Sequence, residues 1–481
     1  MKLLVVGGGT AGLISAIILK KFLDIQIDVV YSKNIGIIGV GEGSTEHFSE
    51  FMKFVGIDNH SIIKECDATY KTGIMFENWN DRSYFHNVGG TFTDKIAQYH
   101  YVYADLIASH NHRLINNNFW CNQIDKWYLN KNDSPPANQY HFNTYKLNDF
   151  LIKFANSMGV NTIEDDIQRV DLKENGEIDT LYSGKASYKY DFYIDATGFK
   201  RLLIGKMGAK WKSFSKYLKM KSAITFQTGD EDNYNLWTLA RAMDYGWLFR
   251  IPVWGRHGNG YIFDSDYINI DQAKLEAEKY FGRQLDIGKK FDFDPGMLDR
   301  VWIKNCCAIG VSGSFVEPLE ATSIGTTIQQ SFLLMHRLIN YNDRVIDQYN
   351  KSFTDILENI RDFVLLHYLT KKTNTDFWKD AANVPLPDSL ESKLEIWQHK
   401  LPIREDFNTL SDYIMFYEAN YILVLEGLDL FDRRSIANEY HKLPTSIQLQ
   451  AKQIISDRFY QEDNAETVSH KEFVGLIRNY F

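Results

Sequence analysis

The chain opens on an apolar run, a glycine-rich turn and a second apolar run. Leu3-Leu4-Val5-Val6 is uniformly apolar, as expected for a buried strand. Six residues, Gly7-Gly8-Gly9-Thr10-Ala11-Gly12, separate it from the apolar stretch 13–19. This pattern predicts a strand, a tight turn and a helix. Residues 26–30, Gln-Ile-Asp-Val-Val, predict a second, parallel strand.

Local patterns predict further elements along the chain. Thr45 is a candidate N-cap for a helix over 46–55 that Gly56 would close. Residues 141–159 have helical periodicity and end in glycine. Residues 170–182 predict a β-hairpin that turns at Asn175-Gly176.

Beyond residue 190, the pattern of hydrophobic and polar residues changes from strand-like to helical along the chain. Residues 191–195 predict a strand that runs into the small residues Ala196-Thr197-Gly198. Residues 220–303 alternate aromatic and polar positions, which predicts a mostly antiparallel sheet. From about residue 324 the helical period dominates, so we expect a helical C-terminal region.

Composition narrows the class of protein. Of the 481 residues, 44% are hydrophobic and 24% charged, which is typical of a globular chain. The net charge of −9 argues against a nucleic-acid partner. The four cysteines form no CxxC pair, so we expect a reduced, cytoplasmic environment. We expect neither a secretory signal nor a membrane helix, since no apolar run approaches the ~20 residues that a membrane span requires.

The first turn carries the GxGxxG pattern in the setting that dinucleotide binding needs, between a strand and a helix. Gly7 permits the sharp turn, Gly9 lets a pyrophosphate approach the backbone, and Gly12 lets the helix pack closely on the strand. The helix start at Thr10 and Ala11 offers unpaired N–H groups to the phosphates. A purely structural glycine turn is the alternative. The fold class predicted is therefore α/β, with a Rossmann-type parallel sheet.

The second strand lacks the carboxylate that commonly binds the ribose in such units. Tyr31-Ser32 stands in its place, and Asp28 comes a few residues too early and should point elsewhere. We therefore expect an intact phosphate site but a ribose that is held in another way.

Six ordered groups of motifs resemble the flavin-dependent halogenases, especially the tryptophan-halogenase type. They are IGVGEGST with ATYKTGIMFENW (38–45, 68–79), HFNTYKLNDFLIKFANSMGV (141–160), DFYIDATGFKRLLIG (191–205), YGWLFRIP (245–252), NCCAIGVSGSFVEPLEATSIG (305–325) and IRDFVLLHYLTKKTNTDFW (360–378). The resemblance thins after about residue 380. It implies an FAD-binding module over 1–350, with the antiparallel sheet inserted at about 210–303 and covering the flavin, and a helical substrate-side region over 351–481.

The resemblance implies an FAD-dependent halogenase with two catalytic residues. Reduced FAD, O2 and halide would give hypohalous acid, which Lys71 would direct onto an electron-rich aromatic substrate such as an indole or a phenol. An ammonium can polarise hypohalous acid, and a neutral amine could form a haloamine. Glu320, the second glutamate of EPLE, would approach the lysine and position the acid or accept the ring proton. The alternatives are a surface lysine beside an aromatic patch and a helix-start carboxylate.

The resemblance also implies where halide and flavin bind. Backbone amides of Thr322 and Ser323 would bind halide, because exposed N–H groups at such a turn attract anions. The family's WxWxIP is represented by Trp247-Leu248-Phe249-Arg250-Ile251-Pro252, which would wall the flavin off from the organic substrate. The remaining cofactor contacts implied are those of Gly39, Gly41, Glu42, Trp247 and Gly310.

Other features bear on partners and alternatives. No metal-ligand spacing such as HExxH occurs, so no metal site is expected. Because a second GxGxxG for a nicotinamide cofactor is missing, we expect a separate NAD(P)H-dependent flavin reductase to supply reduced FAD. A single-component FAD-dependent aromatic hydroxylase and a non-catalytic flavin-binding redox sensor are the alternative functions. The sequence leaves a homodimer or a higher homo-oligomer open.

One stretch bears on the substrate. In the tryptophan halogenases, aromatic residues enclose the indole, and residues 413–421 resemble that region. The Phe-Trp pair expected near Met415-Phe416 is missing. We therefore expect free tryptophan to be a poor substrate.

Overall fold

A computed structural model describes residues 1–36, 42–87, 138–407, 413–450 and 469–480, together with residue 453. The predictions for Gly39 and Gly41 lie outside these residues, as does Cys121. Glu42 is described only as part of a strand.

The described residues form α-helices and β-strands that are named here in chain order. The helices are α1 Thr10–Phe22, α2 His47–Val55, α3 Asn59–Glu65, α4 Thr144–Ser157, α5 Ile270–Phe281, α6 Thr322–Arg337, α7 Asp343–His367, α8 Asp376–Ala382, α9 Asp388–Trp397, α10 Glu418–Gly427, α11 Arg433–His441 and α12 His470–Tyr480. The strands are β1 Lys2–Val6, β2 Gln26–Tyr31, β3 Glu42–Gly43, β4 Thr69–Lys71, β5 Gly73–Glu77, β6 Tyr84–Asn87, β7 Gln139–Phe142, β8 Asn161–Glu164, β9 Ile167–Leu172, β10 Ile178–Ser183, β11 Ser187–Tyr188, β12 Phe192–Asp195, β13 Trp211–Ser213, β14 Ser222–Thr228, β15 Trp237–Ala242, β16 Gly246–Val253, β17 Arg256–Phe263, β18 Ile287–Asp292, β19 Gly296–Leu298, β20 Trp302–Ile303, β21 Cys306–Ala308 and β22 Ser314–Phe315.

A six-stranded sheet in the order β20-β21-β12-β1-β2-β8 organises the first part of the fold. Strand β1 lies in its interior and pairs in parallel with β2 and β12, which confirms the predicted strand–turn–helix and the parallel neighbour. The register places Val6 beside Asp195, so the glycine turn and the small-residue turn after β12 meet at one edge. Nucleotides bind at this carboxyl edge in open α/β sheets.

A seven-stranded sheet in the order β18-β14-β17-β16-β15-β5-β6 forms the second layer. Its pairings are antiparallel except that of β5 with β15, which confirms the mostly antiparallel sheet expected over 220–303. Strands β5 and β6 come from residues 73–87, well before the predicted insertion. The segment just after Lys71 is thereby built into this sheet.

A small sheet in the order β3-β7-β4 joins the glycine-rich segment to the segment that carries Lys71. The prediction of one helix over 141–159 is wrong at its start, because His141 lies in β7 and pairs with Thr69 of β4. Helix α4 begins only at Thr144, where the Asn143 side chain accepts backbone N–H groups as N-cap. Tertiary pairing of β7 overrides the local helical period here.

The predictions for the two ends of helix α2 and for one hairpin have different outcomes. The predicted Thr45 N-cap is wrong: α2 begins at His47 without a side-chain cap, and the Thr45 hydroxyl lies 3.0 Å from His47 Nδ1 instead. Gly56 does end α2, in the left-handed region with φ of 89°. The hairpin is confirmed, with β9 and β10 joined by a turn in which Gly176 has φ of 83°.

The C-terminal part is helical, as predicted, and packs against both larger sheets. Helix α6 packs on α1, α2 and α7, while α10 packs on β6. Helix α12 returns to α3 near the start of the chain. Among the described residues, none of these helices combines the length and the apolarity needed to cross a membrane.

Candidate active site

Lys71, the last residue of β4, is buried, with 1% of the residue exposed. Its Nζ donates a hydrogen bond to the Ser44 carbonyl at 2.7 Å. Burial lowers the pKa of Lys71 to about 8, against the opposing charges of Glu320 and Glu46. The alternative of a surface lysine beside an aromatic patch is therefore wrong. About a tenth of such a group is neutral at pH 7, so both its acid and its base form are accessible.

The Ser44 carbonyl is itself fixed by β7. The Ser44 N–H donates to the Tyr140 carbonyl at 2.8 Å, and the Ser44 hydroxyl accepts the Tyr140 N–H at 2.9 Å. Because Tyr140 also pairs with Tyr70, strand β7 holds both the lysine and its carbonyl partner. The described residues of IGVGEGST, 42–45, meet the segment that carries Lys71 in this way, although 27 positions separate Ser44 from Lys71.

Glu320 is held by two histidines and makes no ion pair with Lys71 within the described structure. His86 Nδ1 donates to its carboxylate, at 3.0 Å from Oε1 and 2.9 Å from Oε2. His367 Nε2 lies 2.9 Å from Oε1, although its N–H is not well aligned with that oxygen. Burial alone would raise the pKa of Glu320, but the two histidines outweigh it and lower the pKa to about 2.

The outer nitrogens of both histidines have partners that fix their tautomers. Asn420 Nδ2 lies 3.1 Å from His86 Nε2, so this nitrogen accepts and Nδ1 keeps the proton that faces Glu320. The Tyr84 hydroxyl lies 2.8 Å from His367 Nδ1. When the hydroxyl donates to Nδ1, the proton of the neutral ring is on Nε2, which faces Glu320. Glu320 therefore stays a carboxylate at neutral pH, hydrogen-bonded to His86 and beside His367, and it is close enough to Lys71 to support its ammonium form.

Glu317, the first glutamate of EPLE, holds Trp247 in place. Its Oε1 accepts the Trp247 indole N–H at 2.9 Å and also the Tyr368 hydroxyl. Burial raises the pKa of Glu317 to about 7, which these two hydrogen bonds partly oppose. Its Oε2 is buried without a partner among the described residues. Trp247 therefore has a fixed orientation, as a wall residue requires.

A cleft opens at the start of α6. Among its lining residues are Gly310, Thr322 and Ser323, so a predicted cofactor residue and the two predicted halide residues share one surface. Ala321, with φ of 54°, precedes the helix, and the first turn has neither a side-chain cap nor an acidic residue. Unpaired N–H groups at a helix N-terminus attract anions, so this position suits a halide.

The glycine turn has the form that a pyrophosphate requires. A Cβ at Gly12 would lie 2.0 Å from the Gly7 carbonyl oxygen, and one at Gly310 would lie 2.6 Å from Ala11 Cβ. Gly12 therefore lets the start of α1 pack tightly against the turn at Gly7, and Gly310 lets its own segment approach α1 closely. Helix α1 begins at Thr10 after Gly9 with no side-chain cap, which leaves its N–H groups for a phosphate. The residues present therefore fit FAD.

The end of β2 bears on how the ribose is bound. Asp28 is buried, and its carboxylate accepts hydrogen bonds from Gln26 Nε2 at 2.9 Å and from the Tyr190 hydroxyl. It therefore points away from the turn, as predicted. Tyr31 lies against Gly8, where a Cβ would be 2.6 Å from Tyr31 Cβ.

Sequence reasoning missed the residues that hold the site together. They are Ser44, His86, Glu317, His367 and Tyr368. The motifs contain four of them, since Ser44 ends GEGS, Glu317 opens EPLE, and His367 and Tyr368 lie in LLHYLT. Two histidines that hold a carboxylate need no fixed spacing in the sequence, so a metal-type spacing does not identify them.

Comparison with known proteins agrees with this architecture. The profile of a family described as tryptophan halogenase matches residues 2–442. The 7-chloro-L-tryptophan 6-halogenase KtzR of Kutzneria sp. (strain 744) is 30% identical over 456 residues, which span 84% of this chain and 86% of that protein. Tryptophan 7-halogenase RebH of Lentzea aerocolonigenes is 28% identical over 484 residues, with 89% of each chain covered.

Solved structures extend the likeness to three dimensions. The crystal structure of tryptophan 6-halogenase SttH from Streptomyces toxytricini has a TM-score of 0.84 at 25% identity, with 98% of this chain and 99% of that chain covered. A tryptophan halogenase from Shewanella frigidimarina has a TM-score of 0.87 at 24% identity, covering 100% and 98%, and shows the same fold. Given the span of the profile match and the identity to KtzR, the chain belongs to the tryptophan halogenase family.

Proposed function

We propose that this protein is an FAD-dependent halogenase in which Lys71 directs hypohalous acid onto an electron-rich aromatic ring. The buried Lys71 ammonium, bonded to the Ser44 carbonyl and near the charge of Glu320, is the observation that supports this best. Membership of the tryptophan halogenase family favours it over the aromatic hydroxylase and the flavin-binding sensor.

The glycine turn and the cleft beside it supply the oxidant in this proposal. Gly7, Gly9, Gly12 and the start of α1 would hold the FAD pyrophosphate, and Gly310 borders the same region. When bound, reduced FAD would supply two electrons to O2, so that one oxygen atom leaves as water and the other oxidises a halide to hypohalous acid. The N–H groups of Thr322 and Ser323 would hold that halide at the start of α6.

Trp247 would separate this region from the organic substrate. Its indole is fixed by Glu317, so the ring cannot swing aside while a small, uncharged acid diffuses past it. Phe249 in the second aromatic place lies over Gly260, where a Cβ would be 2.3 Å from Phe249 Cε1. Bulky side chains at both places would exclude the substrate from the flavin, which prevents direct hydroxylation.

Lys71 would act on the acid once it arrives. Its ammonium can donate a hydrogen bond to the oxygen of the acid, so that the halogen becomes more electrophilic. The ring carbon then forms a bond to halogen as the halogen–oxygen bond breaks. The departing hydroxide and the proton lost from the ring together make water.

Glu320 fits an electrostatic role better than that of a proton acceptor. A carboxylate whose pKa is lowered to about 2 holds a proton poorly near neutral pH. Its charge instead opposes the effect of burial on Lys71 and keeps most of that lysine protonated. The clamp of His86 and His367 holds this charge in one place.

The flavin reductase, the oligomeric state and the cellular location are proposed from the sequence alone. The chain carries a single GxGxxG, so a separate NAD(P)H-dependent flavin reductase would supply reduced FAD. We also propose a cytoplasmic location, from the four cysteines that form no CxxC pair, and a homodimer or a higher homo-oligomer.

Single-turnover assays with reduced FAD, O2, bromide and an electron-rich phenol or indole test the proposal. Lys71→Ala should retain oxygen uptake but lose halogenated product by at least about 100-fold, the contribution expected of a positioned acid. Lys71→Arg should not restore product, because guanidinium stays protonated and donates in a different geometry. Lys351→Ala, on the exposed face of α7, is the matched control and should behave as wild type. Wild-type product yield from Lys71→Ala would overturn the assignment.

A further inference from the structure

Helix α12 returns from the far end of the described chain to the strand that carries Lys71. His470, its first residue, is fully buried, and His470 Nε2 accepts the backbone N–H of Tyr70 at 3.0 Å. Tyr70 immediately precedes Lys71. The site described above does not include this contact, which lies at the outer edge of β4. The side chains of Tyr70 and Lys71 point to opposite faces of the strand, since successive side chains alternate.

Strand β4 needs such a partner because it is the outer strand of its sheet, in the order β3-β7-β4. An outer strand leaves every second backbone N–H unpaired by the sheet. For β4 these groups include the N–H of Tyr70 and, just past the strand, that of Thr72, which donates to the Leu236 carbonyl at 2.7 Å. Lys71 therefore lies between two outward-pointing N–H groups. That of Thr72 donates to the carbonyl of Leu236, just before β15, and that of Tyr70 donates to His470.

The helix that carries His470 is itself anchored at both ends. Near its start, Lys471 Nζ donates to Asp230 Oδ2 at 2.7 Å. Near its end, Arg478 donates to the Ile63 carbonyl at 2.7 Å and lies 3.3 Å from Asp67. Between them, Phe473 stacks on the Tyr70 ring with centroids 5.7 Å apart. The imidazole is therefore presented to β4 by a docked element.

Resting on the proposed function of Lys71, we infer that His470 is a positioning residue that fixes the backbone of β4 and thereby the Lys71 ammonium. The Ser44 carbonyl holds the Lys71 ammonium and the His470 imidazole holds the backbone at Tyr70, so loss of the imidazole acceptor removes one restraint on that backbone and lets the lysine shift. Burial lowers the pKa of His470 to about 4, so the ring stays neutral and Nε2 stays an acceptor at neutral pH.

Three variants of the full-length chain test the inference. His470→Met fills the space but accepts no N–H, His470→Gln restores an acceptor oxygen near the place of Nε2, and Glu472→Gln, at an exposed position of α12, is the matched control. Hydrogen–deuterium exchange of the peptide that contains Tyr70 reports the contact without any flavin. Oxygen uptake, hypohalous acid trapped by monochlorodimedone, and aryl halide formed from bromide report the reaction.

We expect His470→Met to raise Tyr70 amide exchange at least about tenfold, the scale of one lost hydrogen bond. Oxygen uptake should stay within about twofold, while aryl halide per hypohalous acid falls about tenfold. His470→Gln should recover most of both losses, and Glu472→Gln should change neither. A merely structural role would lower oxygen uptake and product together and would not be rescued by glutamine.

Two results overturn the inference. One is unchanged Tyr70 exchange in His470→Met, and the other is raised exchange with an unchanged yield of aryl halide per hypohalous acid. Failure of the proposed function looks different, because wild-type enzyme then makes no hypohalous acid. The exchange measurement would still decide whether His470 holds the strand.

Discussion

Replacing Lys71 by methionine should stabilise the folded protein at neutral pH, although it removes the proposed catalytic group. Burial lowers the pKa of Lys71 from its ordinary 10.5 to about 8. An unfolded chain regains the ordinary value, so between pH 8 and 10.5 it binds more protons than the folded chain. The stability of the wild type therefore rises with pH in this window, and below pH 8 the full cost of the buried charge is present.

The size of the effect follows from the pKa difference. Burying this lysine costs the folded state about 3 kcal/mol at pH 7, where it stays protonated, and about 1 kcal/mol at pH 10, where it must lose its proton. Methionine has a similar volume and no charge, so its variant escapes this cost. The stability of the variant relative to the wild type should therefore fall by about 2 to 3 kcal/mol between pH 7 and pH 10. The unpaired Ser44 carbonyl lowers the stability of the variant at both pH values and cancels from that difference.

Urea unfolding of the flavin-free proteins, followed by tryptophan fluorescence at both pH values, measures this difference. Refolding of the same samples establishes reversibility, which the free energies require. Lys351→Met, at an exposed position on α7, is the matched control and should show no change with pH. A Lys71→Met advantage that is the same at pH 7 and pH 10 would refute the reasoning, because the ammonium would then not be desolvated.

Three further predictions concern the cofactor, the clamp and the substrate. Gly9→Val should fold, because Gly9 has φ of −74° and ψ of 174°, but its side chain should occupy the pyrophosphate's place and weaken FAD binding at least tenfold by flavin fluorescence. Glu320→Gln should retain oxygen uptake and lose product about tenfold, less than Lys71→Ala, as measured by mass spectrometry. Free tryptophan should be a poor substrate, since the Phe-Trp pair expected near Met415-Phe416 is missing, and efficient halogenation at a single position of free tryptophan would contradict this.

Elements that depend on local pattern could be predicted from the sequence. The uniformly apolar run before GxGxxG specifies β1, and Asn175-Gly176 specifies the hairpin turn, because a few adjacent residues decide both. The assignment of 141–159 to one helix was wrong for the opposite reason. Residues 139–142 gain more from pairing with β3 and β4 than from extending a helix, and those strands lie about 70 to 100 positions away.

The candidate site likewise contains residues that a local motif identifies and residues that only the fold brings together. Lys71 and Glu320 could be proposed because each lies inside a motif. Their surroundings could not, since His86 and Glu320 are 234 positions apart and Tyr70 and His470 are 400 apart. A buried histidine that accepts one N–H leaves no periodicity or spacing in the sequence, so only the folded chain identifies it.

The contact between Tyr70 and His470 also has a consequence for how the enzyme is made. A ribosome that has completed β4 must add 400 more positions before the histidine is available. At about 5–20 residues per second, that takes roughly 20 to 80 seconds. The glycine turn and the rest of the parallel sheet are synthesised well before then. During translation, a nascent chain could therefore bind flavin before its lysine is held in place, and productive halogenation should be among the last properties that the new protein acquires.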